Sequence, residues 1–371
     1  MKKAKKFIKN FILFLLLIVI TFYVILKDQD TSQIINTVKS VDKKFLLIGV
    51  AAMFMYLTLE AVNLRRTLRA IGEKTRLSHS LRYAYIGFFF SAITPAASGG
   101  QPMQIYYMHK DKVSVANSTL ALLINLCSFQ LITIPCALIS LMFSHINLSV
   151  GMIWFFIIGI SLNSMALALL LVGIFSKRLS AALIRFAVKV LKFFRIKNIE
   201  AKKEKMEAEL NKYHSSAIYI KKHKKLMVKT LCTTFVQVML FYSIPFWVYK
   251  SFGFNEFNII QIITLQAVLY ATVSGIPLPG AVGVSEGGFL NLFTIAFTEA
   301  TLSGAMLLNR GISFYLFVLI SGIVVMVNIF REKTELDKAE PDVEELDKEI
   351  LNETDEINDE KIEEQNIEDN G

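Results

Sequence analysis

Charge is sparse in this sequence of 371 residues: 19% are Asp, Glu, Lys or Arg, against about a quarter in an ordinary soluble domain. Cysteine is sparser still. Cys127, Cys136 and Cys232 are odd in number and each lies in an apolar stretch, which excludes a disulfide-framed scaffold and leaves three small hydrophobes. The histidines (His79, His109, His145, His214, His223) have no ligand spacing, and neither HExxH nor CxxC occurs, so no metal is expected. No GxxxxGK[ST] phosphate loop occurs either, so nucleotide energy would have to come from a partner, and no cofactor is expected. Around Ser285, GVSEGG has no Asp and His partners placed for it and is not a nucleophile elbow.

What is abundant is apolar length. Hydrophobic residues make up 54% of the chain and mean hydropathy is +0.49. They gather into blocks of roughly 20 residues, enough to cross a hydrocarbon core of about 30 Å. Candidate spans are 11–27, 45–64, 83–108, 116–143, 152–175, 226–250, 259–297 and 301–330, so the chain reads as an all-α polytopic membrane protein. Its N-terminus resembles a signal peptide, but the apolar run ends in FYVILKDQD without a small-x-small cleavage site and reads as an uncleaved first helix.

Charge is distributed unevenly. Residues 331–371 hold 18 acidic and 5 basic groups, and residues 1–330 hold 35 basic and 13 acidic. The basic groups flank apolar spans, which suits anionic lipid at a cytoplasmic membrane face and argues against nucleic acid. The stretch 177–225, with 15 Lys or Arg against 4 Glu, reads as an amphipathic helix on that face, its second half alternatively as a solvated linker helix. Two domains follow: a membrane domain over 1–330 and a disordered acidic cytoplasmic tail over 331–371.

Counting basic loops gives the topology. Lysines at 2–6, the arginine-rich loop 65–82 and the loop 109–112 all mark the inner side. Segment 83–108 therefore begins and ends inside, and by the same count 259–297 begins and ends outside. Six full crossings remain, with both termini cytoplasmic. The two non-crossing segments hold ITPAASGGQP (93–102) and SGIPLPGAVGVSEGGF (274–289), which carry four of the seven prolines and seven of the 18 glycines. Such residues break helices and leave backbone polar groups that need protein or water at membrane depth. Two broken re-entrant hairpins in oppositely oriented halves predict an inverted repeat with a binding site where they meet. ANSTLALLIN (116–125) and ATLSGAMLLN (300–309) echo each other at an offset of 184. Ordinary kinked helices are the plainer alternative for both segments.

The same segments carry a family resemblance. SGGQPMQIYYM (98–108) and PLPGAVGVSEGGF (277–289) resemble the paired signatures of the lysylphosphatidylglycerol synthase transmembrane, or flippase-like, family, which includes the multiple peptide resistance factors of bacteria. The resemblance runs over about residues 10 to 330. Pro277, Pro279, Gly280, Gly283, Glu286, Gly287 and Gly288 keep the pattern. Leu278, Ala281, Val282 and Ser285 depart from the PTPGGSG or PTPGGVG and AEGG of many members. Arg310, in LLNRGISFY, stands where a late-span arginine is typical. The resemblance implies a multi-pass bacterial inner-membrane protein that handles anionic or aminoacylated phospholipids. It would move lipids such as lysylphosphatidylglycerol between leaflets, with a link to resistance against cationic peptides. In full-length relatives a cytosolic acyltransferase domain makes that lipid from aminoacyl-tRNA. Only an acidic tail follows Phe330 here, so a separate cytosolic transferase is an expected partner. The alternative is a phosphatidylglycerol lysyltransferase or the membrane subunit of a lipid-modifying enzyme. Small residues on several spans serve either internal packing or a homo-oligomer.

Ionisable groups inside spans are costly and mark function by default. Arg310, with free amides around Gly99, Gly100, Gly287 and Gly288, is expected to hold a lipid phosphate at half-helix starts. Glu286 would face the ammonium of an aminoacyl headgroup or pair with Arg310, the pair alternatively serving only to fix the bundle. Gln101, Gln104, Tyr106, Asn125 and Asn309 would supply neutral hydrogen bonds. Glu60, close to Arg65 and Arg66 at the inner end of its span, is a third candidate for function, with pairing to those arginines the plainer reading.

Overall fold

A computed structural model describes residues 31–143, 150–175 and 199–331, together with Tyr23. The candidate span 11–27, the segment 177–198 and the tail from 332 onward lie outside the described residues. Among the described residues there are helices and no strands. The chain divides into two units, 1–321 and 322–371. The first holds the bundle and both cavities described below; the described part of the second is the end of the last helix.

Five helices are long and apolar enough to cross a membrane: 43–70, 115–142, 150–172, 224–251 and 299–331. Each corresponds to a span expected from the sequence. In chain order the helices are α1 (Thr31–Ser40), α2 (Lys43–Ala70), α3 (Leu77–Ala92), α4 (Gly100–Lys110), α5 (Val115–Phe143), α6 (Val150–Phe175), α7 (Ile199–Lys222), α8 (Lys224–Tyr242), α9 (Ile244–Ser251), α10 (Ile259–Val273), α11 (Val284–Leu292) and α12 (Glu299–Arg310). Asp42 caps α2, accepting from the Lys44 amide at 2.9 Å. Pro245 opens α9, where its missing N–H leaves no bond unmade. The last helix continues from α12 through a π turn at Gly311–Tyr315.

The two segments predicted to turn back are hairpins. Helices α3 and α4 pack side by side around the break at 93–99, and α10 and α11 do so around 274–283. At 1.5 Å per residue, the 16 residues of α3 and the 15 of α10 rise about 22–24 Å, short of a core of about 30 Å. Among the described residues three helices long and apolar enough to cross a membrane (α5, α6 and the α8–α9 pair) separate the hairpins, an odd number, as entry from opposite faces requires. Their tips meet: the 3-10 turn Pro95–Ala97 packs on the 3-10 turn Pro279–Ala281.

Both halves repeat the same plan, a long helix, a broken hairpin and a long helix. The register is constant at 184 residues: Pro95 and Pro279 open the tip turns, Gly100 and Val284 open the second arms, and Val115 and Glu299 open the closing helices. Even the backbone conformation repeats. Ala96 and Gly280 have φ of 51° and 59°, and Ala97 and Ala281 have 53° and 49°.

Interior polar bonds tie the helices together, as water-free packing requires. Asn63 Nδ2 donates to Thr234 Oγ1 at 3.0 Å, joining α2 to α8. Gln130 Nε2 donates to Asn163 Oδ1 at 3.0 Å, and Asn163 Nδ2 donates to Ser274 Oγ at 2.9 Å, linking α5, α6 and the second hairpin. Of the basic stretch, α7 rests on α5, burying Tyr213, Ala217 and Ile220 against Ala116, Leu120 and Ile124. Glu73 receives Asn117 Nδ2 at 2.6 Å and Lys212 Nζ at 3.5 Å at that junction. Backbone contact is closest where α6 crosses α10. A Cβ on Gly159 would strike the Ala271 carbonyl and reach the Thr272 oxygen at 3.1 Å. Gly159→Ala is therefore expected to cost about 1–3 kcal/mol, the scale of overpacking, seen as a lower unfolding midpoint in detergent.

Candidate functional site

Where the hairpin tips meet, they line an open cavity of about 270 Å³. Its wall includes Ala96 and Ala97 from one tip, Gly280 and Ala281 from the other, and Asn309 and Arg310 from α12. Ser91, Gln266, Ser274, Ser285 and Ser313 add neutral polar groups. Polar backbone at membrane depth is accommodated here by protein, as the broken helices demand.

Arg310 is the cationic group of this tip cavity. Its Nε donates to Glu286 Oε1 at 2.8 Å and its Nη2 to the Gly280 carbonyl at 3.1 Å. The guanidinium lies 4.3 Å from the centroid of the Phe314 ring. The side chain keeps 11% of its surface exposed. Glu286 is 0% exposed. Besides Arg310 it accepts from Tyr315 Oη at 2.8 Å and, through Oε2, from the Gly283 amide at 2.7 Å. The carboxylate thus caps α11, where the helix dipole favours a negative charge. The π turn brings Tyr315 and Phe314 round to the two members of the pair, an irregularity common at functional sites. Of the two roles expected for Glu286, the geometry gives the pairing with Arg310; it faces no open space where a headgroup amine would sit.

A second, amide-lined cavity of about 290 Å³ lies alongside, sharing Tyr56, Phe88, Ser91 and Tyr270 with the first. Here stand Gln101, Gln104 and Asn125. Gln104 is buried and its Nε2 donates to the Tyr83 carbonyl at 3.1 Å. Both amide atoms of Asn125 are buried and have no hydrogen-bond partner among the described residues, and the same is true of Asn309 Oδ1. The two asparagines are 184 residues apart, so each holds the equivalent place in its half.

Four expected glycines do other work. The Gly99 amide donates to Thr94 Oγ1 at 2.9 Å and the Gly287 amide to the Gly283 carbonyl at 3.0 Å, so neither is a free anion donor. Gly100 lets α4 pass the Gly87 carbonyl, which a Cβ would meet at 2.8 Å, and Gly288 makes room for Leu269. Tyr106 is 47% exposed, sits beside Lys110 and lines neither cavity.

Glu60 is where the sequence reading fails most instructively. Arg65 donates to the Thr75 carbonyl, and Arg66 to Asn63 Oδ1 at 2.9 Å and the Lys229 carbonyl at 2.8 Å. Glu60 instead lines the amide cavity with Tyr56 and Asn63. The signal was present in the spacing. Residues three and four apart share a helix face, which groups Glu60 with Tyr56 and Asn63 and turns it away from Arg65 and Arg66.

Among known proteins, residues 11–321 match the family model described as the lysylphosphatidylglycerol synthase TM region. No curated protein matches the chain.

Proposed function

Because the chain belongs to the lysylphosphatidylglycerol synthase TM region family, we propose that it carries a phosphoglyceride headgroup across the bilayer through the cavity between its hairpin tips. The lipid of the proposal is an aminoacylated phosphatidylglycerol. The membrane is the bacterial inner membrane, with both chain termini in the cytoplasm, and the cationic lipid delivered to the outer leaflet weakens attack by cationic peptides.

The observation that carries this reading is Arg310, a guanidinium held at the meeting point of two broken hairpins that enter from opposite faces. Arginine suits phosphate because its planar fork offers several donors at once and stays charged. Glu286 spends its charge on aiming that fork, and Asn309 and Ser313 line the space beside it. Hairpins from the two faces give a headgroup a polar place to stop midway, the arrangement used by transporters built from inverted repeats.

The test is transport by the purified chain in proteoliposomes loaded with labelled lysylphosphatidylglycerol on one leaflet. The wild-type chain exposes the label on the other leaflet. The neutral pair Glu286→Gln with Arg310→Gln is expected to fall to the protein-free rate while keeping its fold, because removing both charges strands neither. Transport by that double variant at the wild-type rate overturns the proposal. Transfer of lysine from charged tRNA to phosphatidylglycerol by the purified chain would put the enzyme reading in its place.

A further inference from the structure

We propose that the amide cavity is a cation subsite in which the Glu60 carboxylate receives a primary ammonium group. This rests on the reading of Arg310 as the phosphate ligand and adds the second half of the headgroup.

Glu60 sits within a membrane-crossing helix, where an ionised side chain is expensive unless something answers it. None of the residues lining its cavity is Lys, Arg or His. Its two nearest arginines in sequence are bonded elsewhere, and among the described residues it has no ion pair. The rest of the lining suits a small cation. Gln101, Gln104, Asn125 and Gln237 line it, and an amide oxygen is an acceptor for the donors of an ammonium. Both polar atoms of Asn125 are buried and unpartnered, so a bonding requirement already exists there.

Aromatic faces complete the enclosure. Tyr56 and Phe129 meet edge-on with centroids 6.5 Å apart, and Phe129 and Tyr270 do so at 5.9 Å. These rings line the same cavity as Glu60, and the π faces of such rings attract organic ammonium groups. The volume of about 290 Å³ lies near the lower end of small-ligand sites, about 300–1,000 Å³, enough for an aminoacyl chain.

The repeat shows how the two subsites diverged. Asn125 and Asn309 are equivalent, and each leaves an amide oxygen unsatisfied. One residue further along, Leu126 of the first half faces Arg310 of the second, while Glu60 of the first half corresponds to Ile244 of the second. The halves thus acquired opposite charges in adjoining cavities that share Tyr56, Phe88, Ser91 and Tyr270. A ligand bridging them carries an anion and an ammonium a short chain apart, which describes an amine-bearing phosphoglyceride.

The experiment measures binding to the purified full chain in nanodiscs. The probes are lysylphosphatidylglycerol, the same lipid with both amines acetylated, phosphatidylglycerol, and soluble lysinamide as a competitor. The wild-type chain is expected to prefer the free-amine lipid over its acetylated form by about tenfold or more, the scale of a charge-assisted hydrogen bond. Glu60→Gln brings that ratio to about one while phosphatidylglycerol binds as before, and Glu60→Asp keeps part of the preference. A ratio taken within one variant is independent of how much of it folds. Lysinamide that binds with the same Glu60 dependence, while the lipid does not, assigns the subsite to a free amine. Equal preference in wild type and Glu60→Gln, or none in wild type, overturns the cation subsite. Unchanged phosphatidylglycerol binding by the double variant Glu286→Gln with Arg310→Gln fails the phosphate reading instead, leaving the Glu60 ratio to be judged separately.

Discussion

Glu286→Gln alone is expected to lower stability by about 3–5 kcal/mol, the cost of leaving a buried charge without its partner. The carboxylate has no exposed surface and serves three donors at once: Arg310 Nε, Tyr315 Oη and the Gly283 amide. Glutamine has one oxygen with which to replace two, and its NH₂ would point at a donor. Arg310→Gln leaves the opposite orphan, a carboxylate still held by Tyr315 and the α11 cap, so its loss should fall at the lower end of that range. Combining the two is expected to recover most of the damage, because the residues are in contact and their effects are not additive. Unfolding midpoints of the four chains in one detergent check this. Losses below about 1 kcal/mol in both single variants, the scale of exposed pairs, would show that the pair does not anchor the hairpin. Burial lets the pair be removed with the fold intact, but not either member alone.

The second large effect concerns the tips. With Cys127, Cys136 and Cys232 replaced by alanine, Ala97→Cys combined with Ala281→Cys is expected to abolish transport on oxidation and regain it on reduction. These two residues hold equivalent places in the repeat, share the same left-handed conformation and sit on turns that pack against one another. A disulfide spans about 4.4–6.8 Å between Cα atoms, a reach suited to turns in contact. A headgroup bound in the tip cavity must pass between those turns. Full transport by the oxidised, cross-linked chain would show that it takes another route.

Much of this arrangement is written in the sequence, for identifiable reasons. Proline and glycine at 93–102 and 274–289 disrupt helices wherever they fall, so the two breaks could be placed from composition. Basic loops then counted the crossings, and the echo at 184 residues marked a repeat that the helix starts at 115 and 299 keep to the residue. Glu286 and Arg310 are ionisable groups inside apolar segments, and that cost, with the family resemblance, marked both. What failed was anything that depended on which donors were already used. Gly99 and Gly287 lie at half-helix starts, as anion-binding amides do, but Thr94 Oγ1 and the Gly283 carbonyl claim them first. Those partners come from the local path of the turn, which residue type does not encode. Tyr106 looked suitable because it is polar and close in sequence to Gln104, yet it lies on the outward side of α4. Glu60 does not pair with Arg65 and Arg66, because proximity along the chain is not proximity on the helix surface. The basic helix α7 shows the same limit: its charged sequence resembles a free linker, while a few apolar residues dock it on α5.

The constant register between the halves has a consequence for how such a molecule works. If each half can take the shape that the other now has, swapping shapes turns the protein inside out without inventing a new fold, and the two resulting states lie close in energy. Whatever tilts that balance must reside where the halves differ. Leu126 against Arg310, and Glu60 against Ile244, are such places, so the groups proposed to hold the cargo are also the weights on the scale.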